Sequence, residues 1–322
     1  RGTCGKCRVK LVKGAASSVT DSERKAFTPR ELDERWRLAC QAYPSSDCTI
    51  NVPTESLVAS NRAQVESLEV AADLEPCIQS FNLRLQPPSM SDQRGDAERL
   101  LESLALSRGT ATGKIDLSVL RDISPDIRAW GWHFRAIVHE NEVIALRPRD
   151  GKALGLAVDI GTTKIAAYLV DLDTGQTLCA RGVPNPQLAY GGDVVSRIDA
   201  ALKAPADAAQ SQQLVVAALN QMAREMCQDT GTAAGQIVDA VVAGNTAMHH
   251  LFLRLPVRQL IHAPFVPALA GAIDVKAREL GLDFAPGAYV HMLPNIAGFV
   301  GGDHVAMLLA VTPWESEGPV LA

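Results

Sequence analysis

The chain is 322 residues long, 47% hydrophobic and 21% charged, with a formal net charge of −5 at pH 7. That length suffices for two or three domains with sizeable cores. The acidic balance gives no support to binding nucleic acid or an anionic membrane, both of which need a basic surface, and no apolar run of about eighteen residues offers a transmembrane helix.

Residues 1–53 read as a small β-rich unit. The runs 7–12 and 48–52 look like short strands, and between them Thr20-Asp21-Ser22-Glu23 opens a charged helix with a capping-box pattern. Residues 54–74 are polar and weakly patterned, as a linker is. Residues 75–150 form a second unit. It starts with an alternating strand over 78–85, stopped by Pro87-Pro88, and continues with a helix over 96–106 whose Leu100, Leu101 and Leu104 share a side. The runs 132–138 and 142–147, separated by Glu140-Asn141, read as a hairpin. Residues 151–322 make the third unit: a buried strand, a Gly/Thr turn and a second strand over 154–171, a long helix over 211–229, and a buried strand over 237–243. A Pro-rich loop at 256–267 and a glycine-rich turn at 298–303 complete it.

The opening Arg1-Gly2-Thr3-Cys4-Gly5-Lys6-Cys7 has no apolar stretch behind a basic start, so no signal peptide is expected. Seven cysteines, an odd number that includes a C-x-x-C, point to metal ligation and buried thiols in a reducing compartment, the cytoplasm by default. Cys4 and Cys7 bracket two residues, and Cys40 follows in Arg37-Leu38-Ala39-Cys40-Gln41. Thiolates hold [2Fe–2S] clusters in a C-x4-C-x2-C pattern with a distant fourth Cys. Cys4, Cys7 and Cys40 fit its second, third and fourth positions, and the first would precede Arg1. A C-x-x-C alone also fits a zinc knuckle; the added Leu-Ala-Cys-Gln favours the cluster. Cys48, Cys77, Cys179 and Cys227 lie in apolar stretches and read as buried thiols.

Asp159-Ile160-Gly161-Thr162-Thr163-Lys164 places an acid, a glycine and two hydroxyls at a turn between two strands. Glycine admits a phosphate close to the backbone, Thr hydroxyls and turn N–H groups donate to it, and a carboxylate can hold Mg²⁺ or its water. The Walker A spacing is absent, and a plain Gly/Thr hairpin is the alternative. Gly244-Asn245-Thr246 follows its own buried strand and is either a second loop facing the same cleft or a helix cap. Asp193, in Tyr190-Gly191-Gly192-Asp193, is either a cleft residue or the N-cap of the next helix. Gly301-Gly302-Asp303 is a weaker candidate. The adjacent His249 and His250 are expected to point to different sides of a helix and not to bind metal.

Taken together these strings resemble the reductive activators of corrinoid proteins, in which a ferredoxin-type domain is fused to an ATPase of the actin, sugar-kinase and heat-shock superfamily. The resemblance runs through R-G-T-C-G-K-C-R-V at 1–9, Pro87-Pro88-Ser89 with Asp96, Arg99 and Leu100, and L-A-V-D-I-G-T-T at 156–163. It continues in N-P-Q-x-x-Y-G-G-D-V at 185–194, G-N-T-A-M-H-H-L at 244–251 and A-G-F-V-G-G-D at 297–303. It implies a multidomain α+β and α/β fold: a β-grasp [2Fe–2S] domain at 1–53, a linker at 54–74, a small α/β middle domain at 75–150, and the first half of an actin-like, ribonuclease H-like ATPase domain at 151–322. Gly318-Pro319-Val320-Leu321-Ala322 would begin the strand leading to a second phosphate loop, so this chain alone is expected to hydrolyse ATP poorly. Lys164 departs from the pattern, standing where a small or hydroxyl residue is expected.

The resemblance further implies ATP-dependent reduction of Co(II) to Co(I) in the corrinoid protein of a methyltransferase system, with the electron supplied by an upstream donor. Cys4, Cys7 and Cys40 would carry the [2Fe–2S] cluster, and Asp159 would be the catalytic residue, holding Mg²⁺–nucleotide phosphate. Gly161, Thr162, Thr163, Asp193, Gly244, Asn245 and Thr246 would hold Mg²⁺ and ATP. Homodimerisation is left open. Two rival readings remain: an electron-transfer protein whose actin-like part is only a docking scaffold, and a redox-sensing small-molecule kinase.

Overall fold

Two compact units divide the chain, Arg1–Gln64 and Val65–Ala322. The computed structural model describes residues 7–52, 76–110, 113–315 and 318. Cys4 and the expected linker at 54–74 lie outside the described residues. Among the described residues the strands form three sheets, one in the first unit and two in the second.

In the first unit, β1 (Arg8–Lys13) is central, with β2 (Trp36–Leu38) and β3 (Thr49–Asn51) antiparallel on either side. The expected charged helix is two short ones, α1 (Asp21–Ala26) and α2 (Pro29–Asp33). Thr20 caps the first with Glu23, as the sequence indicates. A second capping box, Thr28 with Glu31, restarts the chain at Pro29, whose ring cannot continue the preceding turn. Glu23 is more than a cap. Its buried carboxylate takes two bonds from Arg37 (2.9 and 3.0 Å) and one from Leu38 N–H (3.0 Å), tying α1 to β2. Burial pushes its pKa up, but the Arg37 and backbone bonds outweigh this and hold it at about 2.

The second unit begins with a sheet ordered β4-β6-β7-β5, made of β4 (Ile78–Arg84), β5 (Lys114–Ile115), β6 (His133–His139) and β7 (Glu142–Pro148). Helices α3 (Asp96–Arg108) and α4 (Leu117–Ala129) cover one face, where Leu100, Leu104, Ile123 and Ile127 meet Phe134, Ala136 and Val138. Ile137, Ile144 and Ala145 instead join the core of the next sheet. Burial on both faces accounts for the nearly continuous apolar run of β6.

That next sheet runs β10-β9-β8-β11-β13-β12. It contains β8 (Leu154–Ile160), β9 (Lys164–Asp171), β10 (Thr177–Pro184), β11 (Ile237–Gly244), β12 (Ile273–Lys276) and β13 (Tyr289–Met292). β11 is parallel to both β8 and β13, and the other pairings are antiparallel. α5 (Val194–Lys203) precedes α6 (Pro205–Asp229), which buries Val215, Leu219, Met222 and Met226 at helical spacing. α7 (Thr246–Phe252) is buried along its whole length; α8 (Ala277–Leu280) and α9 (Gly302–Val311) follow. The mixed α/β, multidomain architecture expected from the sequence is therefore present.

Candidate functional site

In the first unit, antiparallel pairing of Arg8 with Leu38 brings the residues flanking β1 and β2 together. Ala39 N–H donates to Cys7 O (2.8 Å), and the Cys7 and Cys40 sulfurs stand 3.1 Å apart. That is well beyond the ~2.05 Å of a disulfide, so these are two separate thiols able to share one metal centre. The Glu23–Arg37 pair fixes the strand leading into Cys40, which gives the arginine three residues before it a structural role. Among the described residues no set of three or more His, Cys, Asp or Glu is gathered around a metal site; Cys4, the remaining candidate, is not among them.

Two of the four other cysteines correct the sequence reading. Cys48 and Cys77 are exposed, while Cys227 is buried and Cys179 half-buried. The sulfur of Cys77 lies 3.9 Å from Asp239 Oδ2, and local desolvation followed by the Asp239 charge raises its pKa, keeping it a thiol.

In the second unit, parallel pairing sets Asp159 beside Ala243 and Ile160 beside Gly244. The turn Gly161–Thr163 and the loop Gly244-Asn245-Thr246 are thus neighbours at the carboxyl ends of adjacent strands, where open α/β sheets bind ligands. Asn245 Nδ2 donates to Thr162 Oγ1 (3.0 Å), while its Oδ1 accepts Met248 N–H (3.0 Å) as the cap of α7. Gly161 is required for space: a Cβ there would lie 2.8 Å from Lys164 O. The carbonyls of the turn are held from behind. Asn185 Nδ2 donates to Gly161 O (2.8 Å), Asn185 N–H to Thr163 O (2.9 Å), and the buried Arg197 guanidinium to Thr162 O. With its carbonyls engaged on that side, the turn leaves Thr163 exposed.

Asp159 sits one residue from the end of β8, exposed at its surface yet crowded by surrounding protein. Desolvation raises its pKa, and the Asp303 carboxylate adds repulsion. Asp303 opens α9, the helix that follows β13, so a second carboxylate reaches the site from the third parallel strand. Its signal in the sequence was one acid after three glycines in A-G-F-V-G-G-D. Asp193 caps α5, with both oxygens engaged by Ser196 (2.9 and 2.6 Å). The Thr246 side chain is buried and donates to Ala297 O (2.6 Å). Lys164 begins β9 opposite Pro184. His249 and His250 do not diverge as expected: both are buried, and their Nδ1 atoms are 3.3 Å apart, because α7 is enclosed on all sides. A cavity of about 600 Å³ lies elsewhere, between β4, the end of α3 and Leu172-Asp173, and contains none of these groups.

Family models match the chain in succession: a 2Fe-2S iron-sulfur cluster binding domain over residues 1–45, the RACo linker region over 67–153 and the RACo middle region over 154–312. Corrinoid activation enzyme RamQ of Eubacterium limosum is 34% identical over 200 residues, 61% of this chain and 34% of that protein. A solved structure of a reductive activator for corrinoid, iron-sulfur protein aligns with a TM-score of 0.68 at 30% identity, covering 98% of this chain and 52% of the other. One component of the Na(+)-translocating NADH-quinone reductase of Chlamydia felis is 36% identical over 61 residues, 19% of this chain and 14% of that protein. The chain spans about half or less of the length of these relatives. Among the described residues no helix is long and apolar enough to cross a membrane.

Proposed function

Since the chain belongs to the RACo family of corrinoid activators, we propose that it serves the ATP-dependent reductive activation of a corrinoid protein, returning Co(II) to Co(I) for methyl transfer. The observation that carries this reading is the Thr162–Asn245 contact. It joins two loops of phosphate-binding composition in a chain that also brings Cys7 and Cys40 within 3.1 Å.

Cys4, Cys7 and Cys40 hold a [2Fe–2S] cluster, which when bound supplies one-electron chemistry. The closeness of Cys7 and Cys40 and the 2Fe-2S domain match support that ligand set. In the nucleotide site, Gly161 lets the turn close against Lys164 O and so present its N–H groups, and Thr162, Thr163 and those N–H groups donate to a phosphate. Gly244, Asn245 and Thr246 form the second wall, and Asp193 flanks it by ordering the start of α5. Asp159 and Asp303 alone would repel a polyphosphate; they would instead hold Mg²⁺, whose positive charge would offset that repulsion. The domain scheme is a ferredoxin-type domain at 1–53, a linker at 54–74, a middle domain at 75–150 and the first half of an actin-like ATPase at 151–322. An upstream reductase supplies electrons, the corrinoid protein of a methyltransferase system receives them, and both are cytoplasmic partners. Nucleotide acts by favouring one of two states with different affinity for the corrinoid protein.

The likeness to part of a quinone reductase favours one rival, a plain electron carrier with a docking scaffold. Asp159→Asn separates the two. If nucleotide drives the step, the substitution abolishes ATP-dependent reduction of cobalt; a plain carrier reduces cobalt equally with either residue.

A further inference from the structure

We infer that His250 is a positioning residue of the nucleotide site, holding α7 and the loop before β12 in register through an acceptor nitrogen. This rests on the nucleotide reading above and adds a residue to it.

The hydrogen bonds define its protonation. His250 Nδ1 lies 2.7 Å from Thr246 O, so it carries the proton and donates; Nε2 lies 3.0 Å from Ala268 N–H, so it is bare and accepts. Leu269 N–H also points to Nε2, at 3.4 Å. The ring is buried, so its two nitrogens are out of reach of bulk water. One side chain therefore binds the first turn of α7 to the loop that precedes β12.

From that loop the contacts continue towards the carboxylate of α9. Asn295 N–H donates to Ala270 O (2.7 Å) and Asn295 Nδ2 to Leu269 O (3.2 Å). Two residues later, Ala297 O accepts the Thr246 hydroxyl. Gly301 then passes so close to the Asn245–Thr246 peptide that a Cβ has no room. Asp303 stands two residues beyond. The circuit Thr246, His250, Ala268, Asn295, Ala297, Thr246 thus closes on itself. Asn245, which holds Thr162, and Asp303, which faces Asp159, are placed at its edge. Removing the Nε2 acceptor takes from the Ala268 and Leu269 N–H groups their partner on α7 and frees the loop that Asn295 bonds.

The test compares wild type, His250→Met and His250→Gln in the full chain. Met and Gln are close in volume, but only Gln offers an oxygen near the Nε2 position. Two quantities are read: the Mg²⁺–ADP dissociation constant and hydrogen exchange at the Ala268 amide. We expect Met to weaken Mg²⁺–ADP binding about tenfold and speed Ala268 exchange, and Gln to restore affinity to within about threefold, as the loss and return of one hydrogen bond between α7 and the loop implies. Equal binding by Met and wild type overturns the inference, as does equal loss in Met and Gln, which would mean packing alone. Should Met not fold, the ¹⁵N shift of His250 Nε2 in wild type decides: it must report an acceptor and move on addition of Mg²⁺–ADP, and an unmoved shift overturns the inference. A wild-type chain lacking Mg²⁺–ADP binding sensitive to Asp159→Asn overturns the nucleotide reading and this one with it; the earlier outcomes leave that reading standing.

Discussion

Asn245 uses both ends of one amide: Nδ2 donates to the Thr162 hydroxyl oxygen and Oδ1 accepts the Met248 N–H, so helix capping and the joining of two loops fall to the same side chain. The two roles can be separated. Asn245→Asp keeps the cap acceptor but loses the donor to Thr162 and adds a negative charge. Its thermal stability should stay near wild type while Mg²⁺–nucleotide affinity falls. Asn245→Ala should lose affinity as well as about 1 kcal/mol of stability, the usual value of a cap. Thermal melts and nucleotide titration of both variants check this.

Glu23 predicts acid sensitivity in the first unit. Its folded pKa, about 2, lies below the ordinary 4.5. Its contribution is therefore complete above pH 4.5 and is lost as pH falls towards 2, to a total of about 3 kcal/mol. Glu23→Gln should flatten stability across that window and destabilise the unit at neutral pH, because Arg37 is left buried without its counter-charge. Chemical denaturation between pH 2 and 7 measures both effects.

His249 places a different window on the second unit. Burial, followed by the neighbouring His250, lowers its pKa from 6.5 to about 4. Between these values the unfolded chain binds the extra proton, so stability is complete above pH 6.5 and falls by up to about 3 kcal/mol as pH drops to 4. The two units should thus respond to acid separately, the second before the first. Fluorescence of Trp36 against that of Trp130 and Trp132 would follow them.

Cys40→Ser should remove the cluster without unfolding its surroundings. The Glu23 bonds to Arg37 and Leu38 that position the strand do not involve the sulfur. Iron and acid-labile sulfide should fall to background while the circular dichroism of the unit is retained. Retained iron would remove Cys40 from the ligand set.

Strands with local contrast were legible from sequence. β4 alternates before Pro87-Pro88, and β6 and β7 flank a two-residue turn. Elements lacking such contrast were not. α4 carries Pro125 inside it, a residue that argues against helix. β10 is an edge strand with no buried residue, so it has no two-faced pattern to read. At the site, Asp159, Gly161 and Thr162 were visible because an acid, glycine and hydroxyls crowd one turn. The residues that brace that turn were not identified. Asn185 and Arg197 bond its carbonyls from 24 and 35 residues away in sequence. Such tertiary bonds leave no periodic trace; the only hint was polar residues in an apolar stretch. The facing of Asp303 and Asp159 likewise follows from the β8-β11-β13 order, which no local motif encodes.

The most direct test follows the EPR signal of a Co(II) corrinoid protein incubated anaerobically with the reduced native protein that carries this chain, with and without Mg²⁺–ATP. Nucleotide-driven reduction predicts that the signal disappears only when nucleotide is present and both Cys40 and Asp159 are intact. A Co(II) signal that persists with the reduced protein and Mg²⁺–ATP, or decays equally without nucleotide, would contradict it.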